Sequence, residues 1–315
     1  MNKRFLAIAV LAVAASACTS DGKTISSGAS GASGSGASAG TETVTLLTHS
    51  AFALSPEVLD GFEARTGIHI EALLGDDAGA VVNQAILTKS SPLGDVLYGV
   101  DGALVGKALD AGLFEPYDSP ERSHADPGFD LDPKQHRVTS IDYSDVCVNT
   151  DKRAFDAAGQ PAAPATLDDL TKPEYKGMLV VENPATSSTG LAFLLATVAR
   201  YGGDGYLDYW TKLKANDVKV VEGWTQAYQD NFTAGGGSGD RPLVVSYATS
   251  PPADIVYGDE GKDTTDIGTV TDGCYRQVEA AGILTGTAHR AAAEKVIDFL
   301  AGSEVQADVP LQMFV

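Results

Sequence analysis

From residue 43 onward, short apolar runs alternate with amphipathic stretches. The apolar runs are rich in Val, Ile and Leu, which favours strands, and the stretches between them repeat apolar residues at helical spacing. Ser55 and Gly67 bracket the first helical stretch as N-cap and stop signal, and the second begins near Asp77. The order of strand and helix predicts a parallel α/β sheet. The predicted strands are 44–47, 68–74, 94–101, 178–181, 243–246 and 272–284, and residues 138–155 are a strand leading into a helix. The predicted helices are 55–67, 77–90, 191–198 and 205–217. Residues 102–117 are predicted as a helix and loop, and residues 289–306 as an amphipathic helix followed by a second short one.

The two tryptophans of the chain stand in different patterns. Trp210 repeats with Leu207 and Leu213 at helical spacing, so it is predicted to pack in the core. Trp224 follows a glycine and has no such stripe. With Tyr228 and Tyr247, which also lie in or beside predicted turns, Trp224 fits either peripheral packing or an aromatic wall. Such a wall stacks a flat ring or faces a cation.

The N-terminus has the pattern of an export signal. Lys3 and Arg4 precede an apolar run over residues 5–15, which is too short to span a bilayer. Cys18 then follows in a pattern that resembles a bacterial lipobox, although Ala15 stands where leucine is usual; simple signal-peptidase cleavage is the alternative. Residues 26–40 are all Gly, Ser or Ala, which is typical of a flexible tether. We therefore predict a signal peptide (1–17), then a lipidated Cys18 and tether (18–43). These would anchor an exported protein to the outer face of the cytoplasmic membrane.

Charge and cysteine content narrow the range of functions that the protein could have. A formal net charge of −20 repels nucleic acid. This negative charge is compatible with binding of a cationic solute, although an acidic composition can also serve only to keep a protein soluble. Cys147 and Cys274 remain after Cys18, and an exported compartment permits a disulfide between them; two buried free thiols are the alternative. The histidines show no metal-ligand spacing, and no common catalytic motif is present, so neither a metal site nor an enzyme is predicted.

Polar residues follow three of the predicted strands, where ligands of parallel α/β sheets bind. His49, Asp77 and Asp101 hold these positions, each with a helix cap or solvated loop as the alternative. The turn before residue 191 carries Ser187, Ser188, Thr189 and Gly190. There the free N–H groups of a helix start favour an anion, whereas simple capping needs only one hydroxyl.

Six stretches, in this order, carry a resemblance to a known family: LLTHSAF, GDVLYGVDGALVGKALDAGLFEPY, NPATSSTGLAFLL, VVEGWTQAYQDNF, LVVSYATSPP and YRQVEAAGIL. The chain resembles the thiamine-binding periplasmic proteins, the substrate-binding subunits of thiamine ABC transporters, over most of residues 44–315. The pairing of GW-x-x-AY with SY-x-TSP is the most specific part. The DVLYGVDGALV stretch is shared in looser form by iron and polyamine binders.

The resemblance implies a type II periplasmic-binding-protein-like fold, in which two α/β lobes are joined by hinge crossover strands. Each lobe has a central mixed or parallel sheet flanked by helices. Lobe 1 would comprise 44–142 and 283–315, and lobe 2 would comprise 143–282. The family continues past residue 315 with a Tyr-Pro turn and helices that complete lobe 1, so lobe 1 is expected to be truncated or closed differently.

The resemblance also implies a ligand, thiamine or its phosphates, held in the interlobe cleft and passed to a membrane permease by a monomeric, non-enzymatic protein. The family more often has tyrosine and aspartate where His49 and Ser50 stand. The serine–threonine turn would face the hydroxyethyl or phosphate end, and Trp224 and Tyr247 would hold the rings. The alternatives are a receptor for iron or a polyamine-like solute, or an exported hydrolytic or thiamine-degrading enzyme. The predicted ligand-binding residues are His49, Ser50, Asp77, Asp101, Ser187, Ser188, Thr189, Gly190, Trp224, Tyr228, Tyr247 and Ser250.

Overall fold

A computed structural model of the protein describes residues 41–236, 238–258 and 263–315. The predicted signal peptide, Cys18 and almost all of the tether lie outside the described residues. The first strand already begins at Glu42. The strands are β1 Glu42–Thr48, β2 Ile68–Leu74, β3 Val96–Asp101, β4 Phe114–Glu115, β5 Thr139–Asp151, β6 Leu179–Glu182, β7 Lys219–Val221, β8 Leu243–Tyr247 and β9 Ile267–Leu284. The helices are α1 Pro56–Thr66, α2 Ala78–Leu87, α3 Val105–Asp110, α4 Lys152–Asp156, α5 Ser188–Tyr201, α6 Gly205–Ala215, α7 Ser250–Val256, α8 Arg290–Ala301 and α9 Ser303–Gln312.

All the strands named above join one mixed sheet in the order β2-β1-β3-β9-β5-β8-β6-β7, with β4 beside β9. At one end β1 pairs in parallel with β2 and β3, and at the other β6 pairs in parallel with β7 and β8. The two long strands in the middle, β5 and β9, are antiparallel to each other and connect these parallel groups. The predicted parallel pairing is therefore correct for each end, and the centre is antiparallel.

Helices cover both faces of the sheet, so the strands bury their side chains alternately in two cores. Leu46 points into one core with helices α1, α8 and α9, while Leu47 points into the other with α2 and α3. Around β6 and β8, Val181 and Val180 likewise enter two different cores. This two-sided burial explains why the strands appear in the sequence as nearly continuous apolar runs.

The strands β5 and β9 change character along their length. β5 supplies Ile141, Val146 and Val148 to the cores, and β9 supplies apolar residues at both of its ends. Between these positions both strands carry buried polar side chains. Asp142 lies opposite Glu279 and Ser144 lies opposite Gln277 in the antiparallel register. This buried polar belt lies between the two cores around β1 and β3 and the two cores around β6 and β8. These pairs of cores are the two groups of cores.

A disulfide joins β5 to β9, as the sequence predicts. Cys147 and Cys274 are bonded, with their Cα atoms 4.4 Å apart. The bridge closes a loop with a sequence separation of 127 residues. It therefore fixes the two central strands to each other near the polar belt.

One packing prediction is wrong in detail. Leu207 is 51% exposed, whereas Tyr209 and Leu213 are the buried residues of α6. Trp210 packs edge-on against Phe193, as expected of a structural tryptophan. The buried stripe of α6 is thus rotated relative to the predicted one, with Tyr209 in the place expected for Leu207. In the described ranges, no helix is long and apolar enough to cross a membrane.

Candidate functional site

A cavity of about 690 Å³ lies at the polar ends of several strands. His49 directly follows β1, Asp77 precedes α2, and Tyr247 ends β8. Most of the predicted ligand-binding residues line it, and the volume is typical of small-molecule sites. The predicted residues that line the cavity are His49, Ser50, Asp77, Ser188, Trp224, Tyr228, Tyr247 and Ser250.

One wall of the cavity is aromatic. Trp224 opens a helical turn that continues into a π-helical turn, Gln226–Asn231, and this places Tyr228 on the same face. The rings of Trp224 and Tyr228 stack with centroids 5.0 Å apart and planes 12° apart. Tyr247 lies on the other flank of Trp224, 6.3 Å away and tilted by 44°. The three rings therefore form one continuous aromatic surface, and they do not face one another across the cavity.

The aromatic wall is held from behind by hydroxyl groups. The indole Nε1 of Trp224 donates to Ser246 Oγ at 2.9 Å, and Ser246 Oγ lies 3.1 Å from Ser250 Oγ. Both serines are buried. The predicted site residue Ser250 thus lines the cavity and also belongs to the chain of hydroxyls that orients the tryptophan ring.

The opposite side of the cavity comes from the first-strand loop and the end of α9. His49 and Ser50 lie there together with Gln312, Met313 and the residues after them. Phe314 contacts Tyr257 edge-on, with ring centroids 4.7 Å apart. Since Tyr257 directly follows α7, this contact closes one rim of the cavity between the two groups of cores.

The floor of the cavity is a coupled acid–base cluster. His49 Nε2 lies 3.6 Å from Glu279 Oε2, and the Tyr98 hydroxyl donates to Asp142. Burial and the charge of Glu279 hold the pKa of Asp142 well above its usual range. Burial also opposes ionisation of Glu279, but the neighbouring His49 outweighs it and lowers the pKa of Glu279. Burial alone would lower the pKa of His49, and Glu279 instead raises it. His49 thus favours ionisation of Glu279, whereas burial disfavours ionisation of Asp142.

Asp77 makes more contacts than an ordinary helix cap. Its Oδ1 accepts from the backbone N–H of Ala78 at 2.8 Å and of Ser188 at 3.1 Å. Its Oδ2 accepts from Ser187 Oγ at 3.0 Å and from the backbone N–H of Trp224 at 2.9 Å. The carboxylate caps α2 and also occupies the N-terminus of α5. The anion that the sequence predicts at that helix start is thus supplied by the chain itself.

Four predicted residues are not brought to the cavity surface. Ser187 and Thr189 are buried at the start of α5, where their hydroxyls lie 2.9 Å apart. A Cβ on Gly190 would lie 2.5 Å from the carbonyl oxygen of Glu182, so packing accounts for this glycine. Asp101 is fully buried, where its Oδ1 accepts from the N–H groups of Ala103 and Leu104 at the start of α3.

The burial of Asp101 changes its titration. Desolvation, reinforced by the charge of Glu279, raises the pKa of Asp101 to about 7. Its Oδ2 has no hydrogen-bond partner, which fits a carboxyl group that is easily protonated. Asp101 therefore stabilises, from a buried position, the turn that leads into α3, whose N-cap is Leu104.

The sequence reasoning missed Glu279, Tyr98 and Tyr257, all of which line the cavity. A signal was present for Glu279, because it is a lone carboxylate in the apolar run of β9. A charge inside a buried strand is costly and is kept where it has a partner or a function. Tyr98 gave no such signal, since it also contributes its ring to a hydrophobic core.

The cavity is acidic. Three carboxylates line it, from Asp77, Asp254 and Glu279, and His49 is the one basic side chain among the described lining residues. Asp254 accepts from Thr265 Oγ1 at 2.6 Å. Within the described part of the chain, no three His, Cys, Asp or Glu side chains are grouped to hold a metal ion. The wall and these carboxylates together suit a flat, positively charged solute.

Comparison with known proteins agrees with this geometry. Residues 91–315 match the model of a family described as bacterial extracellular solute-binding protein. The chain is 28% identical over 273 residues to a thiamine-binding periplasmic protein of Brucella suis, covering 85% of this chain and 77% of that protein.

Two solved structures resemble the protein over most of its length. A periplasmic thiamin binding protein superposes with a TM-score of 0.73 and 26% identity, covering 86% of this chain and 81% of the other. The periplasmic binding protein AfuA of Actinobacillus pleuropneumoniae also gives a TM-score of 0.73, at 20% identity, with 86% and 83% covered. The fold is that of the type II periplasmic binding proteins, as predicted from the sequence.

Proposed function

This chain belongs to the bacterial extracellular solute-binding protein family, and we propose that the solute it captures for an ABC importer is thiamine. The observation that carries the proposal is the aromatic wall of Tyr228, Trp224 and Tyr247 in one cavity with three carboxylates. Thiamine combines a flat aminopyrimidine with a positively charged thiazolium. The names of the similar proteins point the same way.

The rings of thiamine lie against Trp224 and Tyr247 in this proposal. Each desolvated aromatic contact contributes roughly 1 kcal/mol, and a cation over the indole face adds to this. The acidic lining, with three carboxylates against one histidine, offsets the thiazolium charge. Asp101, also among the predicted ligand-binding residues, is fully buried and does not line the cavity. His49 and Ser50 complete the binding surface from the first-strand loop.

Capture is proposed to involve closure of two lobes, 44–142 with 283–315 and 143–282. The crossover strands β5 and β9 would be the hinge, since they supply buried residues to the cores on both sides. The bridge between Cys147 and Cys274 would stiffen it. A monomer, held to the outer face of the membrane through Cys18, would then present the closed form to the permease. We assign it no catalytic step.

Titration of the full chain with thiamine, by calorimetry and intrinsic tryptophan fluorescence, tests this function. We expect saturable binding of one thiamine per chain, with a fluorescence change that persists in Trp210→Phe and is lost in Trp224→Phe. Absence of both heat and fluorescence change would overturn the proposal. Recovery of all the thiamine unchanged after long incubation is expected, and breakdown products would overturn the non-enzymatic assignment.

A further inference from the structure

The floor of the cavity brings several carboxyl groups together around a single histidine. Asp142 lies opposite Glu279 on the crossover strands, and Asp101, behind the floor, lies opposite Glu279 in the register of β3 with β9. All three acids are buried, and His49 is the one basic side chain among the described lining residues. Neighbouring carboxyl groups taken out of water cannot all be ionised, because each negative charge opposes the next. These four residues, the floor cluster, therefore hold protons that they can exchange.

Contacts within the floor make its members titrate together. His49 Nε2 lies 3.6 Å from Glu279 Oε2, and Gln277 Nε2 donates to Glu279 Oε1 at 2.7 Å. The ring centroids of His49 and Tyr98 are 5.7 Å apart, and the Tyr98 hydroxyl donates to Asp142. The titratable groups of the described residues that face the His49–Glu279 pair, from β3, β5, β8 and the start of α2, are Tyr98, Asp101, Asp142, Tyr247 and Asp77.

The floor cluster exchanges protons near neutral pH. Burial opposes a charge on His49, but Glu279 outweighs burial and raises the pKa of His49. Burial raises the pKa of Asp101 to about 7, and the charge of Glu279 adds to this effect. Burial and Glu279 likewise raise the pKa of Asp142. Because the groups interact, their protons belong to the cluster and not to one side chain.

A cation in the cavity moves the titration of the floor cluster in one direction. It stabilises ionised carboxylates, which lowers their pKa, and it repels a protonated imidazole, which lowers the pKa of His49 as well. Both effects release protons, whichever side chain carries them before the solute arrives. Binding of the cation and loss of the proton favour each other reciprocally, so the affinity for the cation rises with pH.

We propose that capture of the cationic solute is coupled to release of a proton from the floor cluster. The protein then holds its solute more tightly in neutral or mildly alkaline surroundings than in acidic ones, and acidification favours release of the solute. This inference rests on the proposed function, because an uncharged solute in the cavity would not displace a proton in this way.

Calorimetric titration of the full chain with thiamine, in buffers of different ionisation enthalpy, measures the protons exchanged. The thiazolium nitrogen of thiamine is quaternary and carries its charge without a proton. We expect release of at least about 0.3 protons per thiamine at about pH 7, and an affinity at least about threefold higher at about pH 8 than at about pH 6. No exchange, or uptake of protons, overturns the inference while the proposed function stands. Failure of thiamine to bind at every pH overturns the proposed function itself.

The Glu279→Gln variant tests the assignment to the floor cluster, because it removes the charge that raises the pKa of each of the other three members. We expect proton release to fall to about half or less of the wild-type value, and Glu279→Asp, which keeps the charge, to retain it. Glu63→Gln is the matched control, since Glu63 Oε2 lies 2.7 Å from His69 Nδ1 on the surface outside the cavity, and it should leave the release unchanged.

Asp101→Asn, which removes the group that titrates at about pH 7, serves if Glu279→Gln melts below the assay temperature, and it too should lower the release. Wild-type proton release in a folded variant that lacks either carboxyl and still binds thiamine overturns the role of the floor cluster.

Discussion

Replacement of Trp224 by alanine is the perturbation whose effect the structure defines best. The indole forms the middle of the aromatic wall, stacked on Tyr228 at 5.0 Å and tilted against Tyr247 at 6.3 Å. Its Nε1 donates to Ser246 Oγ. Alanine removes the central ring contact with the solute and lets both tyrosines move. A lost aromatic contact costs about 0.5–1.5 kcal/mol, and a desolvated cation–π contact costs up to about 2 kcal/mol.

The affinity for thiamine should therefore fall about 10- to 100-fold in Trp224→Ala, since about 1.4 kcal/mol corresponds to a factor of ten. Trp224→Phe keeps a stacking ring but loses the donor to Ser246, so we expect a loss of about 1 kcal/mol or less. Trp210→Phe is the matched control, because Trp210 donates to Thr197 Oγ1 at 2.9 Å in a core outside the cavity. It should lower the melting temperature and leave the affinity unchanged. Calorimetry on folded Trp224→Ala that gives an affinity within about twofold of the wild type would refute this reasoning.

Three further changes have defined consequences. Glu279→Gln should weaken thiamine binding about tenfold, because one of the three carboxylates that line the cavity is lost; calorimetry that gives an unchanged affinity would contradict this. Replacing Cys147 and Cys274 by serine should lower the free energy of unfolding by about 2–5 kcal/mol, measured by urea denaturation, because the bridge closes a 127-residue separation. Asp101 has a folded-state pKa raised to about 7, so its contribution to stability is fully present below pH 4 and is lost as the pH rises toward 7. In the wild type, Asp101 should make the free energy of unfolding fall by up to about 1.4 kcal/mol per pH unit between pH 4 and 7, and Asp101→Asn should remove this contribution. Urea denaturation that gives identical pH profiles for the two proteins would contradict a raised pKa of Asp101.

Much of the fold follows from local sequence signals. The N-cap at Asp77, the stop at Gly67 and the alternating burial of Leu46 and Leu47 depend on near neighbours and on side-chain period. The separation of the two tryptophans into structural and cavity-lining residues also follows from helical spacing. These features are set within a few residues, so a single sequence contains the information for them.

The remaining features depend on contacts between distant segments. Asp77 meets Trp224 across 147 positions, and no local pattern shows that its carboxylate fills the start of α5. The pKa of Glu279 depends on His49, which approaches it from the loop after β1. Asp101 has the same strand-end position as the cavity residues, but it is fully buried and holds the turn before α3. Burial and pairing of this kind arise from tertiary packing, which the order of residues alone does not reveal.

The most direct test of the central claim is a crystal structure of the full chain with thiamine bound. The account predicts thiamine in the cavity with its rings in contact with Trp224 and Tyr247, its thiazolium facing Glu279 and its hydroxyl end toward Ser188. Asp77 should keep its hydrogen bonds to the start of α5 in that complex. Thiamine bound away from the aromatic wall, or other side chains of the protein packed on the wall in the place of thiamine, would contradict the account.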